Sequence, residues 1–196
     1  MQSRNNQIEE LRTILKLAKT DLYIGGKLNR TLSSDLIDAL AFIGKERLYA
    51  LSKEVYELLD SPNVVARETV VTTLGLISCL HLPEFKETAY KFWLEDEDAN
   101  VREAALSAWS SYYTDTKDPE VLKALYKILI DENYSVDHRR TAMEYIFFVS
   151  REPSNFYDPF KSRHFYMVSS YEDFNQKVDW NEIKAIMKKY VPDALL

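Results

Sequence analysis

The strongest constraint in the sequence is an internal period. Residues 83–96 and 119–132 align at an offset of 36: both open on Pro-Glu (Pro83-Glu84, Pro119-Glu120), run through an apolar-rich stretch and close on an acidic pair (Glu95-Asp96, Asp131-Glu132). Proline lacks only a donor that would be orphaned in a first helical turn, and the glutamate beside it complements the positive end of the helix dipole. Each segment therefore reads as a helix with its own start signal. A second stretch of helical periodicity follows each acidic turn. An offset of 35 places Leu59, Arg67, Glu68, Val71 and Leu74 on Leu94, Arg102, Glu103, Leu106 and Trp109. An offset of 72 places Val64, Arg67, Val70, Val71 and Leu74 on Val136, Arg139, Ala142, Met143 and Ile146. A unit of 35–36 residues built as helix, acidic turn, helix cannot bury its apolar face alone and has to stack on copies of itself.

Composition agrees. The 196 residues include only 4 glycines and 6 prolines, about 5% where roughly 12% is ordinary. Sandwiches and barrels need a turn signal every ~8 to 12 residues, which this supply cannot furnish, so helix is expected over more than about 60% of the chain, against the usual third. Within the second helices the apolar residues fall on one face: Val70, Val71, Leu74 and Ile77; Ala105, Leu106 and Trp109; Ala142, Met143, Ile146 and Val149. A degenerate earlier unit pairs Gln7 to Lys19 with Ser34 to Ile43, its Leu36, Ile37, Leu40 and Ile43 lying 34 positions before Val70, Val71, Leu74 and Ile77. After Arg151 the period breaks into an aromatic-rich stretch (Phe156, Tyr157, Phe160, Phe165, Tyr166, Tyr171, Phe174). A short helix then follows, with Asp179 as N-cap and Pro192 as its stop. The expected organisation is four hairpins over about 1–44, 45–82, 83–118 and 119–150, and a helical cap over 151–196 in the same domain. Phe165, Phe174, Trp180, Ile183 and Met187 are the cap's expected buried residues.

At Asp96 to Ala105, reading Asp-Glu-Asp-Ala-Asn-Val-Arg-Glu-Ala-Ala, the chain resembles the HEAT-like repeat family, whose second helices follow an acidic turn with Val-Arg-x-x-Ala. The other two units set valine and arginine wider (Val64 with Arg67, Val136 with Arg139), and the Ala-Leu-Gly of many members survives as Thr73-Leu74-Gly75. The resemblance covers roughly residues 34–150 and implies an all-α fold, a right-handed α-α superhelix of about four hairpin repeats. It also implies that Arg67, Arg102 and Arg139 are structural, each bridging the acidic turn of its own or a neighbouring repeat. HEAT-like arrays mostly serve as protein-binding scaffolds. A few resemble enzymes, among them alkylpurine DNA glycosylases and phycobilin lyases.

Several chemistries are excluded by inspection. The only glycines are Gly25, Gly26, Gly44 and Gly75, so no Gly-x-Gly-x-x-Gly or Gly-x-Ser-x-Gly exists. Asp21 and Ala39 stand where a phosphate loop ending in Gly26-Lys27 or Gly44-Lys45 would need its first glycine. Cys79 is the sole cysteine and sits in an apolar stretch, as a small buried hydrophobe would. His81, His138 and His164 are scattered without metal-ligand spacing, and Glu95 to Asp98 lacks the alternation and glycine of a calcium loop. The acidic turns are expected to cap helices instead. Trp109 sits at the core position equivalent to Leu74 and Ile146, and Trp93 is placed between repeats. No signal peptide or membrane-length apolar run is present, and a cytoplasmic chain is expected.

These readings lead to a non-enzymatic protein-binding module that uses the concave face of the aligned second helices. Glu68, Thr72, Glu103, Ser107, Ser111, Arg140 and Glu144 are its expected contact residues, with no catalytic residue, cofactor or metal ligand assigned. The net charge of −6 favours a partner protein with a basic surface through steering. One concrete version is an immunity-type inhibitor that covers a cationic toxin. A nucleic-acid-modifying enzyme would need a basic groove, and Arg139-Arg140 and Lys188-Lys189 are only pairs. A lyase would need a tetrapyrrole pocket that no motif marks. Neither nucleic acid nor membrane is expected as a partner. Micromolar protein at physiological salt should accordingly give no shift of duplex DNA in a gel, and tight, salt-sensitive binding would reverse that expectation.

Overall fold

The computed structural model describes residues 2–20, 22–24, 27–73, 75, 83–152 and 171–195. Of these, 79% are helical. The chain divides into two compact units, Met1–Trp109 and Ser110–Leu196. In the first, α1 (Gln2–Thr20) leads into a short antiparallel hairpin of β1 (Tyr23–Ile24) and β2 (Lys27–Leu28), followed by α2 (Arg30–Lys45), a 3-10 turn (Tyr49–Leu51), α3 (Ser52–Glu57), α4 (Val64–Thr72), α5 (Pro83–Glu95) and α6 (Ala99–Ser111). In the second, α7 (Pro119–Ile130) and α8 (Val136–Ser150) form a hairpin, followed by α9 (Tyr171–Lys177), α10 (Trp180–Tyr190) and a 3-10 turn (Pro192–Leu195).

Side chains just outside several helices satisfy their first amides. Asn29 accepts from Leu32 N, Asn63 from Val65 N, Ser135 from His138 N, and Asp179 from Asn181 N and Glu182 N. Asp118 accepts from Glu120 N and Val121 N, with Pro119 in the first turn as its sequence position predicts. Capping by the acidic turns holds at Asp98, which accepts from Asn100 N and Val101 N. At the two equivalent turns it is corrected: Asn63 and Ser135, rather than Asp60 or Asp131, stand where the side chain reaches the second and third amides. With so few glycines, left-handed turn positions fall to Arg47, Asp115, Lys117 and Arg151, each costing roughly 1–2 kcal/mol. Hydrogen bonds from Asp115 N to Phe148 O, Lys117 N to Val149 O and Arg151 N to Phe147 O hold three of them.

The apolar faces are buried as the period requires. In the first unit α1 packs on α2 and α3, and α2 on α4, around Leu15, Leu36, Leu40, Leu51, Val55, Val70 and Val71. Arg12 Nε to Glu54 (2.8 Å) and Lys19 to Glu57 (3.2 Å) tie α1 to α3 across the rim. Burial pushes the Glu54 carboxyl up, but the hydrogen bond from Arg12, a backbone hydrogen bond and the charges of Arg12 and Lys53 together outweigh it, and the net shift is downward. Gly75 is fixed by packing: a Cβ there would lie 2.1 Å from the Ala108 Cβ. In the second unit Ala142, Met143, Ile146 and Val149 are buried, and α10 packs on both α7 and α8 through Ile183, Ile186 and Met187.

Three expectations need correction. Ile37 stands 40% exposed, because Leu36, Leu40 and Ile43 already fill the inward line of α2 and Ile37 lies a step of ~100° round the helix. Trp180 is half-buried, its indole edge kept outward by donation from Nε1 to Asn175 O at 3.0 Å. Trp93 stacks on Trp109 within its own hairpin, ring centres 5.2 Å apart, rather than between repeats. Phe174, Ile183 and Met187 are buried. Leu74, Ile77, Cys79, His81, His164 and Phe165 lie outside the described residues.

Both indoles of the Trp93–Trp109 stack are buried, and only Tyr90, which packs on both rings, is 40% exposed. Truncating a buried tryptophan removes its transfer energy and leaves a cavity, so Trp109→Ala should cost roughly 3–5 kcal/mol in denaturant unfolding. Tyr90→Ala should cost clearly less, and equal losses would contradict the core placement of Trp109.

Candidate protein-binding surface

The recurring arginines organise the turns that carry the acidic residues. Arg67, one turn into α4, is almost fully buried, and each nitrogen of its permanently charged guanidinium donates a hydrogen bond. Nε and Nη2 donate to the two carboxylate oxygens of Asp96 at 2.9 and 3.1 Å, Nη1 to Ser61 O at 2.8 Å, and Nη2 also reaches Glu97 at 3.5 Å. Asp96 belongs to the turn between α5 and α6, so this fork joins one hairpin to the next, the neighbouring-repeat bridge expected of Arg67. The side chains of Arg67 and Asp96 are 7% and 5% exposed, a setting in which a bidentate pair is strong and a broken one costly.

The equivalent residues use the same carbonyl trick with different second partners. Arg102 donates from Nη1 to Asp96 O (2.7 Å) and Glu97 O (3.1 Å), clasping the turn that precedes its own helix. In the second unit Arg139, 1% exposed, donates from Nε to Leu129 O at 2.6 Å and from Nη2 to Asn175 Oδ1 at 3.2 Å. Its guanidinium lies 5.0 Å from the centre of the Phe174 ring. Arg139 thus departs from the expected bridge to an acidic turn and ties α8 to the end of α7 and to α9.

Held by Arg67 and Arg102, the turn at residues 96–98 presents its carboxylates in fixed positions. Asp96 Oδ1 accepts from Asp98 N at 2.9 Å, and Asp98 in turn caps α6. Glu68 follows Arg67 directly and therefore lies ~100° round α4 from it. Burial raises the Glu68 carboxyl pKa, and the negative charge of Asp98 raises it further. Among the described residues no cation pairs with Glu68. Beside the Arg67–Asp96 fork, a cleft of about 390 Å³ lies between the turn holding Asp60 and Pro62 and the one holding Glu95 and Glu97, with Lys91 in its lining.

The seven sequence-derived candidates are all half-buried. Glu68 and Thr72 lie on α4, Glu103 and Ser107 on α6; in the second unit Ser111 ends α6, and Arg140 and Glu144 lie on α8. Arg140 is committed to Asp137 at 2.6 Å. Sequence reasoning overlooked Asp98 as a functional partner, assigning the whole acidic run to capping, although Asp98 both caps and acts on Glu68. His138 serves its own helix cap, with Nδ1 2.8 Å from Ser135 Oγ. Among the described residues no group of three or more His, Cys, Asp or Glu could hold a metal ion, and no helix is long and apolar enough to cross a membrane.

Removing Arg67 would leave Asp96 buried and uncompensated. Arg67→Ala should therefore destabilise by about 3–5 kcal/mol in urea unfolding, while Arg102→Ala, whose acceptors are turn carbonyls near solvent, should cost less. Equal, small losses would contradict the bridging role.

The family model described as HEAT repeats matches residues 52–145. No curated protein and no solved structure matches the chain. The matched span runs from the start of α3 through most of α8 and contains all three recurring arginines, so residues 52–145 are similar to HEAT repeats and support a HEAT-like repeat family.

Proposed function

We propose that the chain acts by binding rather than by catalysis, as a helical scaffold that receives a basic segment of another protein on the outward faces of its second helices. The observation that carries this reading is Glu68: a half-buried carboxylate, beside Asp98, with no cation of its own among the described residues. A lysine or arginine from a partner placed there would remove the repulsion with Asp98 and compensate the desolvation that raises the Glu68 pKa. The net charge of −6 supports steering of such a partner. Thr72, Glu103 and Ser107 extend this face on the first unit, and Ser111, Arg140 and Glu144 are the corresponding residues on the second. An immunity-type inhibitor of a basic toxin in the cytoplasm is the concrete form that fits this chemistry.

Two measurements test the reading. A carboxyl whose folded pKa is raised favours folding below its ordinary value of about 4.3, and that contribution is lost as pH rises through the folded pKa. Glu68→Gln should therefore raise the melting temperature at neutral pH, with the gain disappearing below about pH 4. The same substitution should weaken binding of a lysine- and arginine-rich peptide roughly three- to tenfold, measured by fluorescence anisotropy. A stabilised variant that binds the peptide as well as the parent chain would refute the binding role of this face.

A further inference from the structure

We infer that the groove between α1 and α2 is a docking site for a basic amphipathic helix of a partner protein, an inference that rests on the proposed function and extends it to a separate face. The groove, about 270 Å³, falls below the ~300–1,000 Å³ usual for small-molecule pockets. Its two walls repeat one pattern. Gln7, Glu10, Leu11 and Ile14 of α1 and Asp35, Asp38, Ala39 and Phe42 of α2 follow i, i+3, i+4, i+7 spacing. Each wall thus sets polar groups at one end and apolar ones at the other. Two such stripes side by side form the kind of trough that takes the apolar face of a third helix.

The floor is apolar: Leu11 and Ala39 are buried, Ile14 and Phe42 half-buried. Every charged group in the lining is a carboxylate, and Glu10, Asp35 and Asp38 are all exposed. Other carboxylates of these hairpins have cations, Glu9 and Glu54 taking Arg12 and Glu57 taking Lys19. Among the described residues none pairs with Glu10, Asp35 or Asp38. α1 therefore spends Arg12 and Lys19 on the side facing α3, and the groove lining holds acids without a cation. A helix seated there must bring its own cations to flank an apolar stripe.

The probe is a fluorescent, helix-stabilised peptide of about 18 residues, long enough to hold helix in isolation, with leucines at i, i+3, i+4 and i+7 flanked by lysines. Its counterpart replaces each lysine by glutamate. The lysine peptide should bind the full chain with salt-sensitive affinity, and the glutamate peptide should not. The exposed double reversal Asp35→Lys/Asp38→Lys should weaken binding roughly tenfold or more, with an unchanged circular dichroism spectrum. Phe42→Ala should weaken it at constant salt dependence. The neutral-pH stabilisation expected of Glu68→Gln is read without this peptide, which separates failure of the groove from failure of the Glu68 face. No binding, binding within about twofold after the reversal, or equal binding of the glutamate peptide would overturn the proposal. So would concentration-dependent dimerisation that the reversal abolishes, since the occupant would then be a second copy.

Discussion

The fork from Arg67 to Asp96 fixes how the third hairpin of the Met1–Trp109 unit meets the second. Two parallel charge-assisted hydrogen bonds define a direction as well as a distance, which a lysine ammonium cannot do. The consequences run outward from it. Asp96, held on one side by Arg67, accepts from Asp98 N on the other. Asp98 then sits where it caps α6 and where its charge acts on Glu68. A buried structural cation thereby builds an unneutralised acidic pair on the surface one residue away. The alternation Arg67-Glu68, repeated as Arg102-Glu103, puts a structural and an outward residue in adjacent places because neighbouring helical positions lie ~100° apart.

The second constraint is the scarcity of glycine. Turns take left-handed conformations at arginine, aspartate and lysine, at a cost in local energy that backbone hydrogen bonds to helix carbonyls offset. Gly75 is used for contact, since its missing Cβ lets the chain just past α4 meet Ala108 on α6. In the Ser110–Leu196 unit the corresponding problem is solved with a cation. Arg139 fills the space between α8, the end of α7 and Phe174, satisfying a carbonyl and an amide oxygen while lying on an aromatic face.

Hairpins, inward faces and the arginine positions were legible in the sequence because each is stated several times over at a fixed offset, and stacking demands the same burial at each copy. Val70, Leu106 and Ile146 could be read inward for that reason. Features fixed by three-dimensional neighbours were not legible. Ile37 matches its counterparts in sequence yet lies outside the filled line of α2, Trp180 is turned outward by one hydrogen bond, and the caps Asn63 and Ser135 depend on turn geometry that an acidic run does not disclose. The short β1–β2 hairpin has no repeat to announce it. Glu68 was readable as an outward residue, but its raised pKa was not, since that depends first on burial in the folded chain and then on Asp98, 30 residues further along the sequence. The groove carboxylates were invisible for the same reason: nothing in the spacing of Glu10, Asp35 and Asp38 tells which acids find a cation and which do not.

The central claim is that the repeat scaffold holds a half-buried carboxylate ready for a partner's cation. The most direct measurement is an NMR titration of the Glu68 side-chain carboxyl carbon in the intact chain, free and with a lysine-rich peptide. The account predicts a midpoint above the ordinary glutamate value of about 4.3 in the free chain, falling when the peptide is added. An ordinary midpoint in the free chain, or a raised one that the peptide leaves in place, would contradict it.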